Sequence, residues 1–233
     1  MTLFYCQDID SDTFSLPAQE SHHCIRVLRM TVGDQLYLTD GRGTMCLCRI
    51  VCSDSTNCLV EVIQRDNNYG KRPYHLHIAV APTKNNARIE WLVEKAVEIG
   101  VDEITPIICD HSERGILKTD RLEKIAISAM KQSLKAYLPL INPATPLRQF
   151  VSRPIEGQRM VCYCEGDQRI PLSQTYQAGS DAVILIGPEG DFSPDEITTA
   201  IASGFQPITL GDARLRTETA ALYAITAINF MNT

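Results

Sequence analysis

The sequence predicts an α/β protein, with a mostly parallel sheet covered by helices on both faces and a smaller β-rich domain in front of it. Three observations carry this expectation. Beyond residue 72, apolar runs of strand length ("LHIAVAP", "ITPII", "VCYC", "AVILI", "PITL") alternate with stretches of helical period. Before residue 70, short runs of alternating polarity are separated by turn residues, the pattern of a small barrel or sandwich. Between the two, "RDNNYGKRPYH" is polar and carries Gly70 and Pro73, which places a boundary near residue 72 and gives domains of 1–72 and 73–233.

In the first domain, "ESHHCIRVLRM" is read as one short helix with Ser21 as its N-cap, so that Arg26 and Arg29, three apart, share a face. "DQLYLTDG", "TMCLCRIV" and "CLVEVIQR" follow as strands, with Asp40-Gly41-Arg42-Gly43 as the hairpin turn between the first two. Cys46, Cys48 and Cys52 fall at alternate positions, as inward strand residues do. The nine cysteines are odd in number and lack paired C-x-x-C spacing, so they are read as small apolar side chains of a reduced, cytoplasmic protein, with no metal implied.

In the second domain, Ile89, Leu92, Val93, Ala96 and Val97 form one helical stripe that Gly100 ends. A second amphipathic helix spans 120–135, with Leu122, Ile125, Ala126, Ala129 and Met130 inward. After "AVILI", Ser193 caps a helix from Pro194 to Ser203, Glu196 completes a capping box, and Gly204 closes the far end. The last helix starts near Thr217, which is read as its cap.

Charge bounds the function. The chain carries a net −6, but unevenly: five basic against nine acidic residues over 1–70, twelve against nine over 71–150, and five against ten over 151–233. The net acidity counts against a nucleic-acid partner; the locally basic middle third permits an RNA-facing surface, although a solvated face is the usual explanation for so small an excess. The N-terminus has no basic stretch followed by a long apolar core, and no uncharged run is long enough to span a bilayer.

Two loops stand out, "GPEGDF" after "AVILI" and "LGDARLR" after "PITL", because a strand's C-terminal edge is where open α/β sheets place ligands. Neither has dinucleotide-fingerprint spacing or the lysine ending of a phosphate loop. Periodicity alone makes them two ordinary strand-to-helix turns. Together, however, "IGPEGDFSPDE", "LGDARLRTETA", "EKAVEIGVDEITP" and "HHCIRVLRM" resemble the bacterial enzymes that methylate N3 of a uridine in small-subunit (16S) ribosomal RNA, and the resemblance covers nearly the whole chain.

That resemblance implies an S-adenosylmethionine-dependent methyltransferase of SPOUT type, with a trefoil-knotted parallel-sheet domain behind an N-terminal PUA-like β-barrel, acting as a cytoplasmic homodimer. It implies that Glu165, Ile186, Gly187, Glu189, Gly190, Leu210, Gly211, Leu215, Arg216 and Thr217 surround the cofactor, with "CEGD" (164–167) as a third wall. Arg216 is the candidate cation for the charge developing on the base, and Glu189 or Glu218 the candidate acceptor of its proton. A carboxylate in a helix's first turn, as Glu218 would be, is also stabilised there without catalysis.

Lys84, Arg88 and Gln132 are implied substrate-facing positions, Arg114 and Lys135 belong to the same polar framework, and His23, Arg26 and Arg29 are the RNA candidates of the first domain. Two departures accompany the resemblance. Asp191 stands where the family usually has glycine, and Ala213-Arg214-Leu215-Arg216 where it usually has Arg-Ile-Leu-Arg. Other readings remain open on the sequence: a knotted enzyme acting on another RNA position or a ribose 2′-hydroxyl, an RNA-binding assembly factor without activity, and a small-molecule enzyme on an ordinary doubly wound sheet.

Overall fold

The structure, a computed structural model, describes residues 2–9, 11–113, 118–164 and 169–233. It divides into two compact units, one of residues up to Lys71 together with Ile127–Leu138, the other of Arg72–Ala126 and Pro139–Thr233.

The first unit contains β1 (Leu3–Tyr5), β2 (Thr13–Ser15), α1 (Ala18–His22), β3 (Gln35–Thr39), β4 (Met45–Cys52) and β5 (Leu59–Asp66). Its sheet runs in the order β1-β3-β4-β5-β2, antiparallel except for the parallel β1–β3 pair. The β3–β4 turn forms as expected: Asp40 Oδ1 accepts the amides of Arg42 and Thr44, while Gly41 and Gly43 take positive φ of 72° and 105°. Phe4, Leu36, Leu38, Cys46, Cys48, Ile50 and Val60 make the core. Chain from the second half of the sequence completes this unit, since Ala136 and Leu134 pack on Leu3 and Met45, and Lys131 pairs with Glu20 at 2.5 Å.

Three readings of this unit change. Ser21 lies inside α1, not at its start, because its buried hydroxyl is taken up by the Leu16 carbonyl and the Cys58 amide, where it joins α1 to β5's approach. After α1 the chain passes through a π-helical turn, His23–Val27, and Arg29 lies beyond it at φ 57°, so Arg26 and Arg29 do not share a helical face. Cys52 is exposed, since a register shift between Ile50 and Cys52 ends the alternation that buries Cys46 and Cys48. Burial pushes the Cys24 and Cys48 thiols up to about 12, so they remain protonated and behave as apolar groups.

The second unit holds β6 (Leu76–Val80), α2 (Asn86–Ile99), β7 (Glu103–Ile108), the start of α3 (Thr119–Gln132), β8 (Leu140–Ile141), β9 (Thr145–Pro146), α4 (Leu147–Val151), β10 (Gln158–Cys162), β11 (Ile170–Pro171), α5 (Leu172–Thr175), β12 (Ala182–Ile186), α6 (Pro194–Ala202), β13 (Gln206–Thr209) and α7 (Thr217–Met231). The sheet order is β11-β13-β10-β12-β6-β7-β8, with β9 also on β7, and every pairing is parallel. Val183 and Leu185 of β12 pack with Leu147, Phe150 and Ala200 from α4 and α6, while Ala182, Ile184 and Ile186 alternate to the other face. On β6 and β12 rests α7, with α2 against it. All five residues of the predicted α2 stripe are buried, and Gly100 ends the helix at φ 133°. In α3, Ile125 is half-buried and the helix stops at Gln132, three residues short of the expected end. The α6 capping box forms as read.

His77 is the one ionisable side chain in β6, buried with Nε2 2.7 Å from Thr105 Oγ1 and its ring edge-on to Phe150. Burial pushes its pKa down to about 4, against the opposing pull of Glu103 and with help from His75. The unfolded chain therefore takes up a proton near pH 6.5 that the folded chain refuses until about pH 4. Stability is expected to fall as the pH drops through that window. In His77→Leu, urea midpoints measured across the same range should lack this component.

Candidate active site

The parallel register brings three strand ends within one residue of one another. Cys162 at the end of β10 lies beside Ile186 of β12 on one side and Ile208 of β13 on the other. The segments that follow these strands, from Tyr163, Gly187 and Leu210, therefore leave the same edge of the sheet as neighbours.

In the first loop, Ile186, Gly187 and Pro188 are buried while Glu189 and Gly190 are exposed. Its glycines answer close approach within the chain: a Cβ on Gly187 would sit 3.1 Å from the Phe192 ring, and one on Gly190 3.2 Å from His111 Cβ. The left-handed position belongs to Asp191, at φ 61°. Aspartate tolerates that conformation because its short carboxylate bonds locally. Here Asp191 Oδ1 accepts the Phe192 amide at 2.9 Å, Oδ2 accepts the Cys164 amide at 2.8 Å, and the Asp191 amide donates to Pro188. The aspartate thus supplies what a glycine would give in φ and also ties the loop to the segment after β10.

Sequence reading did not find the second clamp. His111, three residues past β7, directs Nδ1 at the carbonyls of Gly190 and Asp191, 3.1 and 2.9 Å away. Both partners are acceptors, so Nδ1 carries the proton and is shared between them. Beside it, Asp110 accepts the Ser193 hydroxyl at 2.6 Å and donates its amide to Glu196 Oε1, so the α6 capping box also docks the β7 loop. The signal available in the sequence was positional: "CDHSE" follows a strand of the same sheet and leaves from the same edge.

The second loop is more open. Gly211 has φ 110°, and nothing lies within 4 Å of where its Cβ would be. Leu210 and Leu215 are half-buried, and Arg216 is exposed at the N-cap position of α7. Thr217 does not cap the helix. Its buried hydroxyl donates to the Gly187 carbonyl at 3.0 Å and fastens the second loop to the first. Glu165, with the rest of the expected third wall except Cys164, lies outside the described residues, as does Arg114. Burial and the neighbouring Asp191 carboxylate push the pKa of the Cys164 thiol up.

Charges gather around the first loop. Arg88 of α2 stands between two carboxylates, with Nη1 3.9 Å from Glu189 Oε1 and Nε 3.7 Å from Glu218 Oε1. Lys84, exposed just beyond β6, pairs with Glu113 at 2.8 Å, which raises its pKa. The remaining RNA candidates belong to the first unit. There His23 is half-buried with its ring edge-on to Phe4 at 5.8 Å, whereas Arg26, Arg29 and Gln132 are exposed. The six RNA candidates are thus divided between the units. No group of three or more His, Cys, Asp or Glu side chains among the described residues could hold a metal ion.

Residues 70–229 match the family model of an RNA methyltransferase domain, and residues 16–63 that of an RNA methyltransferase PUA domain. Among solved structures, a probable rRNA-methyltransferase from Porphyromonas gingivalis is 46% identical, with a TM-score of 0.92 over 100% of this chain and 98% of its own. A ribosomal RNA small subunit methyltransferase E from Neisseria gonorrhoeae, solved bound to S-adenosyl methionine, is 29% identical with a TM-score of 0.87, again over 100% and 98%. The ribosomal RNA small subunit methyltransferase E of Mesomycoplasma hyopneumoniae is 31% identical over 189 residues, 77% of this chain and 79% of that protein.

The role given to Asp191 separates two contributions. Asp191→Gly keeps the backbone conformation and loses the two carboxylate bonds, while Asp191→Ala loses both. Denaturant titration should find each variant destabilised, by about 1–3 kcal/mol for the lost bonds, with Ala worse than Gly by about 1 kcal/mol. Equal stability of the two would mean that the left-handed position carries no strain.

Proposed function

The chain belongs to the family of ribosomal RNA small subunit methyltransferase E, and on that premise we propose that it transfers a methyl group from S-adenosylmethionine to N3 of one uridine in small-subunit ribosomal RNA. The observation that carries this reading is the pair of strand-end loops joined by the bond from Thr217 to Gly187. Such loops offer main-chain donors and acceptors at the C-terminal edge of a parallel sheet, where ligands of α/β proteins bind. The open side of Gly211 and the exposed Glu189 and Gly190 leave room there for a ligand, so the residues fit the cofactor. Ile186, Gly187, Glu189, Gly190, Leu210, Gly211, Leu215, Arg216 and Thr217, with Glu165, are the residues assigned to hold it.

The cofactor supplies an electrophilic methyl group on a sulfonium. The protein's share of the work is alignment and charge. Uridine N3 lies on the pairing edge of the base, so the nucleotide has to be unpaired or flipped to reach the site. Arg216, exposed at the start of α7, is assigned to the uracil oxygen that gains charge as the imide proton leaves; a planar guanidinium with several donors suits that oxygen. Glu189 is assigned as acceptor of that proton, through its exposed carboxylate beside Arg88.

RNA approach is assigned to Lys84 and Arg88 in one unit and to Arg26, Arg29, Gln132 and His23 in the other. The His23 ring packs on Phe4, which makes it the least free of the six. The same reading includes the trefoil knot, cytoplasmic location and a homodimer. Support for the dimer comes from the aromatic side chains left exposed on α2 and α7, Trp91, Tyr223 and Phe230, the last 77% exposed.

Labelled S-adenosylmethionine and ribosomal particles lacking the modification should yield N3-methyluridine on nucleoside analysis. Arg216→Ala should lower kcat by about 10²–10³. A methylated product at any other atom would replace the uridine assignment, and an unaffected Arg216→Ala would remove the role given to that side chain. For RNA binding, Arg26→Ala with Arg29→Ala should flatten the slope of log affinity against log salt by about 1.5, the loss of two phosphate contacts. An unchanged slope would place the RNA elsewhere.

A further inference from the structure

Glu218 has an environment that the proposed transfer leaves unexplained. Its side chain is 7% exposed in the first turn of α7, and its Oε2 is buried with no hydrogen-bond partner among the described residues. A carboxylate oxygen withdrawn from water and left without a donor is unfavourable, and the helix N-terminus offsets only part of that. The nearest cation, Arg88, does not settle the matter. At 3.7 Å from Glu218 Oε1 and 3.9 Å from Glu189 Oε1, its guanidinium is attracted by both carboxylates and lies beyond hydrogen-bond length from each.

A guanidinium is a planar fork that can satisfy both oxygens of a single carboxylate at once. We propose that Glu218 is a positioning residue that offers Arg88 a second seat, so that Glu189 is freed to accept a hydrogen bond from a donor on the bound cofactor, its ribose hydroxyls or its ammonium group. This rests on the reading that the loop pair holds S-adenosylmethionine. The two seats differ in strength: Glu189 is 36% exposed, where water screens its attraction for Arg88, while Glu218 is buried and attracts more strongly at equal distance. A ligand donor at Glu189 therefore releases Arg88 toward Glu218, and the unpartnered Oε2 receives the second arm of the fork. The seat is tied to the loop through the adjacent residue, since Thr217 bonds to Gly187, two residues before Glu189.

Calorimetric titration of the full chain with S-adenosylmethionine tests this. Glu218→Gln keeps the shape and removes the charge, so Arg88 is left to Glu189 alone and cofactor Kd should rise about tenfold. Adding Arg88→Met to Glu218→Gln frees Glu189 again and should recover most of the loss, a suppression that a merely structural role for Glu218 does not produce. Arg88→Met alone, made at a side chain only partly buried, leaves the carboxylate in place and should bind cofactor at least as tightly as wild type. A Glu218→Gln Kd within twofold of wild type, additive losses in the double variant, or weaker binding by Arg88→Met would each overturn the inference while cofactor binding by wild type stands. Absence of binding by wild type itself would overturn the loop-pair reading and the inference with it.

Discussion

The second unit depends on one register: β10 lies between β12 and β13, with Cys162 level with Ile186 and Ile208. Parallel pairing makes all strands of a sheet finish at one edge, and this register makes three of them finish together. Two of the site's tethers follow from that coincidence, and a third comes from β7 through β6. The first loop can reach the Cys164 amide through Asp191, the second can reach the Gly187 carbonyl through Thr217, and the β7 loop can bring His111 under Gly190 and Asp191. A shift of one residue in β10 would turn Met160 and Val161 to opposite faces and misplace the tethers to Cys164 and Gly187.

The tethers explain why the loops carry so little side-chain chemistry of their own. Their polar main-chain groups are held from outside by Thr217, His111 and the Asp191 carboxylate, which leaves the backbone at Gly211 and the exposed Glu189 and Gly190 facing solvent. Preorganised backbone is an economical way to bind a neutral ring system, because the ordering entropy is met in folding and not at each encounter. The charged groups then sort by burial. Arg216 is exposed, Arg88 is shared between two carboxylates, and Glu218 is buried beside Arg88.

The first unit is built on a different principle. Its small sheet buries a core in which three strand and helix thiols, Cys24, Cys46 and Cys48, act as apolar side chains, and it is completed by Leu134 and Ala136 from far along the chain. Of its exposed arginines, Arg26 lies within the π-helical turn and Arg29 beyond it, with exposed Val27 and Leu28 between them. An irregular turn of this kind presents side chains in directions that a regular helix would not.

By itself the sequence determined the elements that rest on local rules. The inward stripe of α2 has a 3.6-residue period, the α6 box needs only Ser193 and Glu196 three apart, and the Asp40 turn needs a short carboxylate before two glycines. It also carried the two loops by their order and content. Tertiary structure alone decided which strand lies beside which, and with it the partners of Ser21, Thr217, Asp191 and His111, each bonded to a group on another element. Hydroxyls read as caps became bridges because a donor or acceptor from elsewhere in the fold stood closer than the helix end. The burial of Glu218 beneath Arg88 belongs to the same class: a carboxylate two residues into a helix faces water or interior according to what packs over it, and periodicity does not contain that information.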